Sequence, residues 1–134
     1  MKPIKLLATA ENIPDIAERV GQFGARSKLS AQACFQLQVI VAEALNNVVC
    51  HGLTTSITEP IQVECQLIEN CVEITIRDKG QPFDAPANAC FPHAQAERGR
   101  GWPIINAWAD HVQYRAHASH NELTLTIRVT EHVA

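Results

Sequence analysis

Residues 61–76 limit the fold more than any other segment. Apolar side chains alternate with polar ones at Ile61, Val63, Cys65 and Leu67, and again at Val72, Ile74 and Ile76. That is the period of strands with one buried face. A two-residue turn at Glu69-Asn70 sets 67 opposite 72, 65 opposite 74 and 63 opposite 76. Both apolar sets then share a face, whereas a slip of one residue would turn one set to water. The same register puts Cys65 and Cys71 on opposite faces, where they cannot bond to each other. It also carries Asp78 along the inward series of Val72, Ile74 and Ile76.

A one-faced hairpin needs a covering layer, and the flanking sequence supplies it. Ile4 to Ala8 reads as a short strand. Asn12 is placed to cap a helix whose apolar positions Ile13, Ile16, Ala17, Val20 and Phe23 form one face, with Gly24, Arg26 and Lys28 at its end. A longer helix runs from Ser30 to about His51, with Gly52 as its stop and Cys34, Leu37, Val41, Leu45 and Val48 as its apolar face. After a polar linker and the hairpin, a short helix is expected from Trp102 to Ala109, with Pro103 in its first turn. Two strands follow, through Val112, Tyr114 and Ala116, then Leu123, Leu125, Ile127 and Val129. The order β-α-α-β-β-loop-α-β-β predicts an α+β two-layer sandwich, with helices on one face of a mainly antiparallel sheet.

Length and composition narrow the function classes. The 134 residues, 46% hydrophobic and 19% charged, are expected to form a single domain over 1–134. The net charge of −3 and the lack of any basic run argue against nucleic acid as a partner. The uncharged stretch Leu29 to Ala42 is broken by Ser30, Gln32, Gln36 and Gln38, so no membrane span is expected. The apolar run near the N-terminus is too short for a signal peptide, and the expected location is cytoplasmic. Five cysteines, at 34, 50, 65, 71 and 90, form no C-x-x-C pair. Free thiols are expected, with neither a disulfide framework nor a structural zinc.

Three short segments carry polar groups where chemistry would use them. In VIVAEALNNVVCHG, Glu43 and Asn47 are four residues apart and project from one side of the helix, with Cys50 and His51 about a turn beyond. Their oxygens suit magnesium, and the carboxylate suits a proton acceptor. A solvated stripe on an amphipathic helix is the alternative. In Asp78-Lys79-Gly80-Gln81-Pro82-Phe83, an inward carboxylate must find donors. The exocyclic amine of adenine is one such donor, and Gly80 would let a flat base come close to the backbone. An ordinary turn opened by Asp is the alternative. Arg98-Gly99-Arg100-Gly101 precedes the short helix, whose N-terminus suits phosphate; a hinge explains the glycines equally well. The stretch from Gly80 to Gly101 holds three of the six glycines and three of the seven prolines, as a functional loop would.

Together, E-x-x-x-N on a helix, D-x-G-x-P-F after a strand and G-x-G before a helix resemble the three nucleotide boxes of the histidine-kinase-like ATPase superfamily. EALNNVVCHG and GRGWPIINAWAD look most like the small anti-sigma factor serine kinases, the switch kinases of partner-switching systems. The likeness runs from about Ala10 to Val129. It implies Glu43 as general base, Asn47 as magnesium ligand and Asp78 as the acceptor of the adenine amine. Gly80 would lie below the base. His51, Pro82, Phe83, Arg98, Gly99, Arg100 and Gly101 complete the implied nucleotide site, with Gly99, Arg100 and Gly101 near the phosphates. Two departures stand out: Pro82 occupies a second-glycine position, and Trp102-Pro103 follows the glycines where leucine and a variable residue are usual. Both stiffen the edges of the lid.

The resemblance implies an enzyme with ATP and Mg2+. It would phosphorylate a serine of an anti-sigma-factor antagonist and sequester a sigma factor or similar output protein. A nucleotide-sensing module without phosphotransfer would use the same boxes. A sensor histidine kinase is disfavoured, because the chain has no phosphoacceptor helical pair and His51 lies inside the nucleotide helix. The first strand, open at an edge, is expected to allow a homodimer.

Overall fold

The computed structural model describes residues 2–52, 60–79 and 101–129, with the backbone alone at 50–52 and 101–102. Their order is β1 (Ile4–Ala8), α1 (Ile13–Arg26), α2 (Ala31–Gly52), β2 (Ile61–Ile68), β3 (Cys71–Asp78), α3 (Gly101–Trp108), β4 (His111–Ala116) and β5 (Asn121–Arg128). The five strands form one sheet in the order β1-β2-β3-β5-β4, and every neighbouring pair is antiparallel. This is the α+β arrangement expected, with β1 and β4 at the two edges.

The β2–β3 register is the one the alternation requires: Leu67 faces Val72, Cys65 faces Ile74 and Val63 faces Ile76. The turn closes with Glu69 in the left-handed region at φ 54°. The Asn70 carbonyl accepts a hydrogen bond from the Val129 backbone at 2.7 Å, tying the turn to the end of β5. On the core face Ile61, Val63, Cys65, Val72, Ile74 and Ile76 are all buried, and Leu67 is half-buried at the rim. The other face is polar. Lys5, Glu64, Arg77 and Glu122 alternate in sign across β1, β2, β3 and β5, at 3.6, 4.0 and 2.9 Å. Among the described residues, helices therefore cover one face only.

The helices differ from expectation at their ends. Asn12 stands at the start of α1, but its side chain makes no cap. Its Oδ1 instead accepts from the Thr9 backbone at 2.6 Å, and its Nδ2 donates to the Leu7 carbonyl at 3.0 Å. The carboxamide thus braces the β1–α1 turn. The helix α1 ends at Arg26, inside the stretch from Gly24 to Lys28 where its stop is expected, and Gly24 itself stays helical. The stop is a Schellman closure: Lys28 N–H bonds the Ala25 carbonyl, Leu29 N–H bonds that of Gly24, and Lys28 takes φ 62°. Gly24 is there for contact. A Cβ at that position would lie 3.0 Å from Cys34 Sγ and 3.3 Å from Leu37 Cδ1. Ser30 caps α2 as expected, its Oγ accepting from the Ala33 backbone at 3.1 Å. The third helix is one residue earlier than expected at each end.

Burial gives one thiol a measurable signature. Cys65 is fully enclosed in the core, and desolvation, helped by the neighbouring Glu64 charge, pushes its pKa up from 9.0 to about 12. Between those values the folded chain keeps a proton that the unfolded chain has lost, so stability falls as pH rises through that window. The slope from this thiol approaches about 1.4 kcal/mol per pH unit. Urea melts of wild type and Cys65→Val between pH 8 and 10.5 check it. Wild type should lose stability more steeply than the variant above pH 9.

Candidate functional site

The helix α2 places two of the expected site residues on one side. Glu43 is half-buried, and Asn47, one turn later, is buried at 6% exposure. Neighbours Ile40, Val41, Ala44, Leu45 and Val48 anchor α2 in the core, so the polar pair sits on a helix held firmly from the apolar side. A freely solvated stripe does not bury an asparagine. The Asn47 Nδ2 has no hydrogen-bond partner among the described residues. Leaving a buried amide nitrogen unpaired costs about 1–3 kcal/mol, which a bound ligand would recover. A carboxamide turned over presents its oxygen to the same point. An oxygen donor with a carboxylate one turn away fits the hard, oxygen-seeking Mg2+ ion.

The third expected residue, Asp78, closes β3 and is buried at 7% exposure. It continues the inward series, as the alternation requires. Its register partner across the β3–β5 ladder is Asn121, which is 2% exposed. Asn121 Nδ2 donates to Asp78 Oδ1 at 3.2 Å. Asn121 escaped the sequence reading, although it extends the inward series of Leu123, Leu125 and Ile127 backwards by one step. Thr124 and Thr126, by contrast, are half-buried on the opposite face.

Gly101 is the first residue of α3, which packs against α2 and is anchored by the fully buried Ile105. His51 lies in the last turn of α2. Gly80, Pro82, Phe83, Arg98, Gly99 and Arg100 lie outside the described residues.

The arrangement is a helix bearing a carboxylate and a ligand-seeking carboxamide, a sheet with a buried carboxylate at a strand end, and a short helix beside the first. The family model for the histidine kinase-like ATPase domain matches residues 6–127. The chain belongs to the histidine kinase-like ATPase family. Within this ATPase family the likeness is to the anti-sigma serine kinases. The chain is 26% identical over 128 residues to the serine/threonine-protein kinase BtrW of Bordetella bronchiseptica, covering 92% of this chain and 90% of that protein. It is 31% identical over 83 residues to the anti-sigma F factor of Oceanobacillus iheyensis, covering 58% and 57% of the two chains. Among solved structures, the RsbU and RsbW domains of Rv1364c from Mycobacterium tuberculosis match with a TM-score of 0.72 at 18% identity. That match covers 98% of this chain and 33% of the other, so this ATPase chain spans about a third of that solved chain. No helix among the described residues is long and apolar enough to cross a membrane.

Proposed function

We propose that this histidine kinase-like ATPase, as a single domain over 1–134, is an ATP-dependent serine kinase of a partner-switching system. Its substrate would be an anti-sigma-factor antagonist, and it would hold a sigma factor or similar output protein when that antagonist is phosphorylated. The observation that carries the reading is the buried carboxamide nitrogen of Asn47, without a hydrogen-bond partner among the described residues, one turn from the Glu43 carboxylate. The similarity to a protein named as a serine/threonine kinase and to one named as an anti-sigma factor supports it.

In this reading ATP lies between α2, α3 and the end of β3. Asn47 would hold Mg2+, which offsets phosphate charge when bound. Asp78, oriented by Asn121, accepts the adenine amine, and the α3 N-terminus faces the phosphates with Gly99, Arg100 and Gly101. Glu43 takes the proton from a serine hydroxyl as its oxygen bonds to the γ-phosphorus and the bond to the ADP oxygen breaks. His51, Gly80, Pro82, Phe83 and Arg98 belong to the same site.

The test is a pull-down from a lysate of the source cell with and without ATP, with mass spectrometry of the captured proteins. A phosphoserine on a small captured protein, formed only with ATP and magnesium, is the expected outcome. Capture that depends on nucleotide but never yields phosphoserine would replace the kinase by a nucleotide-sensing module.

A further inference from the structure

Next to the Asp78–Asn121 pair, the hairpin joining β4 to β5 gathers three side chains that no step above uses. The turn reads His117-Ala118-Ser119-His120, followed on β5 by Glu122. It is closed by the His117 backbone N–H donating to the His120 carbonyl at 2.8 Å. That closure brings the two imidazoles together, stacked with centroids 4.7 Å apart and 26° between planes. One ligand atom each from His117, His120 and Glu122 lies within 4.8 Å of the other two.

We propose that this turn is a binding site for a divalent transition ion of the zinc type, held by His117, His120 and Glu122. Two imidazole nitrogens and one carboxylate oxygen form a donor set that zinc takes, with a fourth position left to water. A tetrahedral zinc with bonds of about 2.0–2.1 Å needs donors roughly 3.3 Å apart. Rotations of exposed or half-buried side chains in a turn supply the difference without moving the sheet. Two further contacts prepare the ligands. Ser119 Oγ lies 3.1 Å from His120 Nδ1. In the tautomer with hydrogen on Nδ1, the ring donates to that hydroxyl and presents the Nε2 lone pair to the ion. Arg77 Nε donates to Glu122 Oε2 at 2.9 Å, fixing the carboxylate while its second oxygen serves the ion. Access is open, because Ser119 and His120 line a surface cleft of about 550 Å3.

Charge sets the expected strength. Arg77 and Arg115 both neighbour Glu122, by ion pair and by register, and they oppose a second cation. The site should therefore bind zinc in the micromolar rather than the nanomolar range. Titration of the full chain with ZnCl2 in a calorimeter, and with CoCl2 followed by visible absorption, tests this. One equivalent should bind, and His117→Ala and His120→Ala should each weaken it at least tenfold. Both variants should keep the wild-type thermal melt in chelator, since backbone bonds close the turn; His117→Asn serves if the alanine variant melts early. Absence of saturable binding, or unchanged binding in the His117→Ala/His120→Ala double variant, overturns the assignment.

Discussion

Glu43→Gln lowers the rate of serine phosphorylation by about 10²–10⁴-fold, the range over which general-base removal acts. The substitution keeps the size and hydrogen-bonding length of the side chain and removes its ability to accept a proton. Glu43 is half-buried on a helix whose other side is locked into the core, so the amide has no reason to disturb packing. Nucleotide affinity should change by much less than the rate, because the groups assigned to the base and phosphates are elsewhere. Single-turnover transfer of the γ-phosphoryl group to the antagonist, measured at saturating ATP, reads the rate. Equilibrium binding of ATP to the same variant reads the affinity. A variant that transfers phosphate as fast as wild type removes Glu43 from the chemistry. Loss of ATP binding in step with rate would instead make it a ligand of the nucleotide or its metal.

The fold was legible wherever one local rule decided the outcome. Period-2 alternation and a two-residue turn left a single register for β2 and β3, and Ser30 is of a type that caps helices whatever surrounds it. The departures came where tertiary contact overrode a local signal. Gly24 has the residue type of a helix stop, yet Cys34 and Leu37 crowd it, and the chain ends α1 with Lys28 in the left-handed region. Asn12 has the residue type of a cap, yet nearby backbone groups of the β1–α1 turn claim its carboxamide.

The candidate site divides along the same line. Glu43 and Asn47 could be found because a helix brings residues four apart together. That Asn47 is buried, its nitrogen unpaired among the described residues, depends on α2 packing, which spacing does not specify. Asn121 could not be matched to Asp78 beforehand, because no short turn joins β3 to β5 and their register is set by packing. His117 and His120 were in plain view, but a gap of three residues brings rings together only once the turn geometry is known.

Asp78→Asn weakens ATP binding by roughly tenfold to 150-fold, the loss of one charge-assisted hydrogen bond worth about 1.5–3 kcal/mol. The reasoning starts from acceptor counting. A carboxylate offers about four lone-pair sites on two oxygens, and Asn121 Nδ2 uses one of these sites at 3.2 Å. An amide keeps one acceptor oxygen and puts a donor NH2 in place of the other, so a donor that met the second oxygen would face another donor. Selectivity should fall together with affinity. Guanine offers a carbonyl where adenine offers the amine; the wild-type carboxylate repels that carbonyl, and the amide nitrogen can bond to it. The ratio of ATP to GTP affinity should therefore drop in the variant. Folding should be preserved or slightly improved, since a neutral amide costs less to bury than a carboxylate at a site 7% exposed. Urea denaturation measures that directly, and fluorescent-nucleotide competition with ATP and GTP measures the rest. An unchanged ATP affinity would mean that Asp78 does not meet the base. The Asp78–Asn121 pair would then serve only to join the ends of β3 and β5.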